Sequence, residues 1–286
     1  MTGETPVTAG IRLSAWRNGV PRQTERCLAE ETPIAITYNE LPYAVMMASP
    51  LNLDDFALGF TLTEGFVTHP GEIISCKTVP HELGVELRMV LARPALERVL
   101  TRRRRVAGYT GCGVCGLESL EQAMRPLPKV AGGVIIQAEA LRAAFTGLAA
   151  QQPLNQATRS VHAAAFWSPE LGMGPVREDV GRHNAVDKVI GGQFLEGNGL
   201  LSRAILVVSG RASFELMQKA LAAGIPMLVA VGAPSSLAVQ VAERFGATLI
   251  GFTKPSGFNI YTGSARVLVD PLPSPHEYQT ELPSAA

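Results

Sequence analysis

Apolar and polar positions along this chain alternate with two distinct periods. Residues 33–38 and 41–47 carry apolar side chains at strand-like spacing on either side of the polar pair Asn39-Glu40, which predicts a β-hairpin. Residues 53–64 follow Asn52, a residue type that caps helices, with Asp54 and Asp55 in the first turn and Gly65 just past the end. With Phe56, Leu58, Phe60 and Leu62 as apolar positions, this segment predicts a helix. Gly84 to Leu91 alternates at period two and predicts a half-buried strand. Beyond residue 134 helical and strand patterns take turns. Helices are predicted over 135–150, 185–194, 214–223 and 237–245, and strands over 160–167, 204–208, 227–231 and 247–252. Such alternation predicts an α/β layer with a largely parallel sheet.

Pro126-Leu127-Pro128-Lys129 and Gly132-Gly133 mark a change of grammar, and a boundary is expected near residues 126–134. It separates a smaller α+β domain over 21–130 from a C-terminal α/β domain over 131–270. Residues 1–20 read as a loose leader, and 271–286, rich in Pro and Ser, as a frayed tail. A length of 286 residues allows each half its own core. The composition, 47% hydrophobic and 17% charged, is that of a globular protein. Twenty-five basic residues balance twenty-five acidic ones, which argues against a general nucleic-acid binder. No apolar run approaches the roughly 18 residues of a membrane span, and the first residues do not read as a secretion signal.

Four cysteines in such a chain suggest a reducing cytoplasm rather than a disulfide scaffold. Cys27 and Cys76 read as buried structural thiols. Gly111-Cys112-Gly113-Val114-Cys115-Gly116 is different: glycines around two thiols allow a loop that presents both sulfurs, and Arg102 to Arg105 lie just upstream. Nearby positive charge favours thiolate, the form that attacks sulfur or binds metal. A structural zinc site would need two further ligands from distant segments, such as His162 and His183. A zinc deaminase would place His-x-Glu before Pro-Cys-x-x-Cys, an order this chain lacks. A thioredoxin-type pair belongs near the start of a βαβ unit, whereas this one is mid-chain. A sulfur relay through a persulfide is the remaining reading.

Three further features carry candidate chemistry. Arg177 to Lys188, reading Arg-Glu-Asp-Val-Gly-Arg-His-Asn-Ala-Val-Asp-Lys, concentrates both signs of charge beside a Gly turn. Here Asp179 or Asp187 is expected to pair with Arg182 and orient it for a ligand. His183 is either an acid or base, or a hydrogen-bonded structural residue. Ser209-Gly210-Arg211-Ala212-Ser213, Gly232 to Ser236, and Phe252-Thr253-Lys254-Pro255-Ser256-Gly257 each follow a strand, on the edge where open α/β sheets bind ligands. There Arg211 and helix-start amides would hold phosphate, Phe252 would stack on a base, and Lys254 would meet phosphate. His162, among small residues, reads as a pocket wall or a core histidine.

Taken together and in this order, the Gly-Cys-Gly-Val-Cys-Gly loop, Glu178 to Lys188, Ser209 to Glu215, and Gly251 to Lys254 with Phe258 to Tyr261 resemble the FdhD/NarQ family of formate dehydrogenase accessory sulfurtransferases. The resemblance runs from about Thr32 to Thr262 and includes Asn52 to Gly65. It implies a cytoplasmic homodimer whose C-terminal domain is cytidine-deaminase-like, a three-layer α/β fold, without the deaminase site. It implies sulfur drawn from a cysteine desulfurase, carried as a cysteine persulfide, and given to the molybdenum cofactor as bis-molybdopterin guanine dinucleotide. That cofactor then enters formate dehydrogenase. The implied catalytic residues are Cys112, which bears the persulfide, and Cys115, the second thiol. The implied cofactor segment is Phe252 to Gly257, with Ser209, Gly210, Arg211, His162, Arg182 and His183 around a GDP-like guanine nucleotide; no resident metal is implied. Lys254 stands where the family often has Arg, and a lysine lacks the bidentate fork that arginine offers phosphate. Arg159-Ser160 likewise stand where Gly often precedes the His.

Overall fold

A computed structural model describes residues 6–103, 127–130, 132–194, 200–254 and 257–269. Cys112, Cys115, Arg104, Arg105, the helix expected over 117–124, Pro255, Ser256 and the tail lie outside the described residues.

Two sheets share one continuous apolar core. The first is four-stranded, in the order β4–β3–β6–β5, with β3 Thr32–Tyr38, β4 Leu41–Ala48, β5 Ile73–His81 and β6 Gly84–Leu91. Strand β3 runs parallel to β6, and the other two pairings are antiparallel. Period two does what it predicts in β6: Val85, Leu87, Met89 and Leu91 are buried while Arg88 and Val90 face outward. Helix α1 (Leu53–Thr63) lies against this buried face, and α2 (Arg93–Arg103) follows β6. Glu72, in the turn before β5, ties the two elements through an ion pair to Arg98 and a hydrogen bond from the Thr68 amide at 2.7 Å. Burial raises its pKa, but these donors outweigh burial and bring it to about 2 from 4.5. A depressed carboxyl stabilises the fold above its unfolded value and loses that contribution as pH falls toward 2. Acid unfolding should therefore steepen between about pH 4.5 and 2, and Glu72→Gln should flatten that window in a circular-dichroism titration.

The second sheet has seven strands. Its path is β10–β8–β11–β12–β13–β14, with β9 also on β8. The strands are β8 His162–Ser168, β9 Gly172–Met173, β10 Arg177–Asp179, β11 Ile205–Val208, β12 Met227–Ala230, β13 Thr248–Lys254 and β14 Gly257–Thr262. Only the β11–β12 and β12–β13 pairings are parallel; β8 and β14 run against them and β10 runs against β8, so the sheet is mixed rather than largely parallel. Helices cover both faces. Ala163, Ala165, Ile205, Val207, Met227, Val229 and Ile250 pack with α3 (Ala138–Ala150). The alternate residues, Ala164, Phe166, Leu206, Val208, Leu228, Ala230 and Leu249, join the core that α1 also enters. On that face lie α5 (Arg182–Phe194), α6 (Phe214–Ala222) and α7 (Ser236–Phe245); the short α4 (Pro153–Thr158) precedes β8. A minor parallel pair joins β7 (Ile136–Gln137) to β15 (Val267–Leu268).

Residues 8–29, part of which read as a loose leader, are instead a long antiparallel hairpin, β1 (Thr8–Arg17) and β2 (Val20–Ala29). Asn18 and Gly19 both take positive φ, 52° and 79°, the tight turn whose twist matches that of paired strands. The hairpin has no buried face, so its apolar residues show no clean alternation. Cys27 sits on it half-buried, and Cys76 is also only half-buried, so neither is the enclosed core thiol expected. Burial and then Asp54 raise the Cys76 thiol to about 11, which leaves it unreactive near neutrality.

Candidate functional site

Strand directions decide where the predicted site residues fall. The carboxyl ends of β10, β11, β12 and β13 share one edge of the large sheet with the amino ends of β8 and β14. His162 opens β8 opposite Asp179, the last residue of β10. Arg182 and His183 begin α5 just after β10 ends, Ser209 to Arg211 follow β11, and Phe252 to Gly257 cover the β13–β14 connection in sequence. All the described candidates therefore gather at this edge. The ladder continues past the strand ends: the Val231 amide donates to the Val208 carbonyl at 3.1 Å, Gly232 to Gly210 at 3.0 Å, and Phe252 to Gly232 at 3.1 Å. These bonds set the three loops side by side.

Gly210 lies at the point where the two halves of the edge meet. A methyl there would only just touch them, 3.4 Å from His162 Nδ1 and 3.5 Å from Arg182 Cδ, which places both side chains over the Gly210 backbone. Arg182 Nε is buried and meets no acceptor among the described residues. A buried unmatched donor on a cation is costly, and an anion supplied from outside would satisfy it. His162 is half-buried. Burial lowers its pKa, the charges of Arg182 and His183 lower it further, and Asp179 only partly opposes them. Next to it His183 Nε2 lies 3.4 Å from Ser213 Oγ and 3.9 Å from Glu215 Oε2. That imidazole draws the Glu215 carboxyl down to about 2.

At the other end of the edge, Phe252 has φ of 58° and remains exposed, and Lys254 Nζ stands 5.3 Å over its ring. Positive φ is strained for a bulky side chain. The strain coincides with a bulge between Gly251 and Lys254, so much of the expected loop is irregular strand whose kink turns the ring outward. Two candidates are engaged within the fold. Thr253 is buried, with its hydroxyl on the Ala230 carbonyl at 2.8 Å, and its side chain cannot reach a ligand. Ser209 Oγ accepts from the Ala163 amide at 2.8 Å and has only its own proton left to donate.

The acidic-basic segment does not pair as expected. Asp179 bonds Lys188 at 2.6 Å and Asp187 bonds Lys219 at 2.8 Å; neither carboxylate holds Arg182. Lys188 is fully buried and also donates to the Ser49 carbonyl at 2.9 Å. Asp179 Oδ2 accepts from the Ser49 amide, and Oδ1 from the Gly181 amide and Asn184 Nδ2. Asn184 Nδ2 also reaches the Met47 carbonyl. Lys219 donates to Thr63 Oγ1 at 3.1 Å, and Asp187 accepts from that hydroxyl at 2.7 Å. Burial works against the charged forms of both Lys188 and Asp187, and each is held by its partner. These residues join the β4–α1 region to the large sheet and fix the turn that carries Arg182 and His183. Glu178 completes the set by accepting from the Leu154 and Asn155 amides at the start of α4. Sequence reasoning missed Lys219 and Glu215 as partners. The available signal for Lys219 was a cation between Met217 and Ala220 on an otherwise apolar helix face.

The sequence profile of the FdhD/NarQ family matches residues 29–268. The chain belongs to that family. It is 41% identical over 264 residues to the sulfur carrier protein FdhD of Cupriavidus necator, covering 92% of this chain and 91% of that one. It is 40% identical over 260 residues to the protein of the same name from Agrobacterium fabrum, covering 91% and 96%. A crystal structure of a candidate formate dehydrogenase accessory protein from Desulfotalea psychrophila superposes with a TM-score of 0.73 at 23% identity. It covers 92% of this chain and all of that one. At that identity the likeness carries the fold alone. No helix among the described residues is long and apolar enough to cross a membrane.

Proposed function

We propose that this protein is a sulfur carrier for formate dehydrogenase maturation. Family membership across residues 29–268, with relatives named sulfur carrier proteins, is the observation that carries the reading. In the first step the Cys112 thiolate attacks the terminal sulfur of a cysteine desulfurase persulfide. A new S–S bond forms at Cys112, the old one breaks, and the desulfurase thiolate leaves with the electron pair. Cys115 assists, shares the sulfur or resolves the intermediate. In the resolving step its thiolate attacks Cys112 Sγ, and the Cys112–Cys115 disulfide forms as the persulfide bond breaks. The outer sulfur leaves with the electron pair as sulfide to the molybdenum cofactor, in its bis-molybdopterin guanine dinucleotide form, before that substrate enters the dehydrogenase. A thiol reductant then restores both thiols.

The sheet edge supports the binding half of this reading. Arg182 offers an unmatched donor, Arg211 is exposed beside it, and Phe252 under Lys254 offers a flat face with a cation above it. A guanine nucleotide end, with a planar base and linked phosphates, matches that order of groups. The C-terminal half is read as cytidine-deaminase-like, and the working form as a cytoplasmic homodimer.

Incubation with a cysteine desulfurase and cysteine, followed by intact-mass and peptide analysis, tests the relay. A gain of about 32 Da mapped to Cys112 and discharged by thiol reductant is expected. Desulfurase turnover with no adduct on Cys112 or Cys115 would reject the relay.

A further inference from the structure

The geometry points to a proton that enters with the ligand: we propose that an anionic ligand at the sheet edge binds together with a proton carried by His162. This inference rests on the reading of that edge as a nucleotide site.

His162 lies where several charged elements converge. From the β10–α5 turn it faces Arg182 and His183, and from β10 it faces Asp179. Arg211 follows β11 on the neighbouring loop, and Arg159 stands three residues upstream at the end of α4. The one carboxylate among the groups that act on it is Asp179. That carboxylate already accepts from Ser49, Gly181, Asn184 and Lys188, so it is committed to the core. The imidazole is half-enclosed beside Gly210 and the Arg182 side chain. In the free protein, burial and this positive surround both oppose a charge on it.

A phosphate arriving at Arg182 reverses the balance. It places negative charge next to the imidazole, and the protonated ring gains an acceptor it lacked. The pKa of His162 must then rise on binding, and linkage requires that affinity fall as pH rises through the interval between the free and bound values. The same geometry gives the histidine a role that Arg182 alone cannot fill: it adds a positive charge only when the ligand is present, so the empty site avoids a cluster of like charges.

GDP is the probe. Calorimetric titration at about pH 7 in buffers of different ionisation enthalpy should show uptake of ~0.3 to ~1 proton per chain. GDP affinity should fall by about threefold to tenfold from pH 6.5 to 8. Because GDP's terminal phosphate also titrates, the quantity to read is the difference from His162→Gln, which should bind GDP with less proton uptake and a flatter pH profile. Imidazole NMR on the unmodified protein gives a second measure that needs no variant: one of the five histidines should show a pKa raised by GDP. GDP binding with equal proton uptake in both proteins, or with no histidine shifted, would overturn the proton linkage and leave the nucleotide reading standing. Failure of GDP to bind between pH 6 and 8 would overturn both.

Discussion

Lys188→Met lowers unfolding free energy by about 3 to 5 kcal/mol. The substitution keeps most of the side-chain volume but removes the cation bonded to Asp179, at a site where both side chains are fully buried. Asp179 keeps its donors from Ser49, Gly181 and Asn184, which places the loss toward the lower end of that range. The carbonyl of Ser49 is left without its charged donor. Chemical denaturation followed by tryptophan fluorescence measures the loss. For comparison, Arg12→Ala breaks an ion pair whose side chains are 87% and 72% exposed, and should cost about 1 kcal/mol or less. Equal losses from the two variants would mean that the buried pair adds nothing beyond a surface contact.

The contrast bears on what the Arg177 to Lys188 segment is for. Most of its charge never reaches solvent. Asp179, Asp187 and Lys188 are buried, and Glu178 is bonded to the start of α4. Only Arg182 and His183 remain directed toward the edge where a ligand would sit. One short segment thus joins the two sheets and presents two side chains from the turn it fixes. A ligand at the edge and the β4–α1 region are both tied to the same few residues.

Period carried most of the fold into view. Gly84 to Leu91 is a strand with the predicted limits, and helices and strands of the C-terminal half fall within a few residues of their expected positions, because each buries one face against a defined layer. The β1–β2 hairpin was illegible by period since it buries neither face; its Asn18-Gly19 turn was the readable signal. Strand direction was not legible either. The three-residue β10 is too short to show a pattern, and nothing in the periods of β8 and β14 shows that they run against β11 and β13 and make the sheet mixed. At the site, residue type located the edge but misassigned the pairs. Composition shows that Asp179 and Asp187 need cations, whereas only packing decides that Lys188 and Lys219 provide them. The cysteine loop, which residue type singled out first, lies outside the described residues.

Gly191→Ala is expected to cost about 3 kcal/mol or more, against the helix-propensity gain of up to about 1 kcal/mol that alanine brings. The reason is the approach of α1 to α5, which run antiparallel with backbone against backbone. Thr63 meets Asp187 near one end of the contact, and Gly191 lies against Asp55 and Gly59 at the other. A methyl on Gly191 would fall far inside van der Waals contact with the Asp55 carbonyl oxygen and 2.6 Å from the Gly59 amide nitrogen. A methyl on Gly59 would collide with the Asp187 carbonyl in the same way. Backbone cannot swing aside as a side chain can, so the helices must separate, which stretches the Thr63–Asp187–Lys219 contacts and shifts the start of α5 that carries Arg182. Gly192 is the control. Its added methyl would meet only the ends of the Asp55 and Arg177 side chains, at 3.3 and 3.5 Å, and those can give. Gly192→Ala should unfold within about 1 kcal/mol of the unmodified protein, while Gly191→Ala and Gly59→Ala unfold at markedly lower denaturant. Indistinguishable midpoints for the neighbouring variants would show that the two helices have room to part.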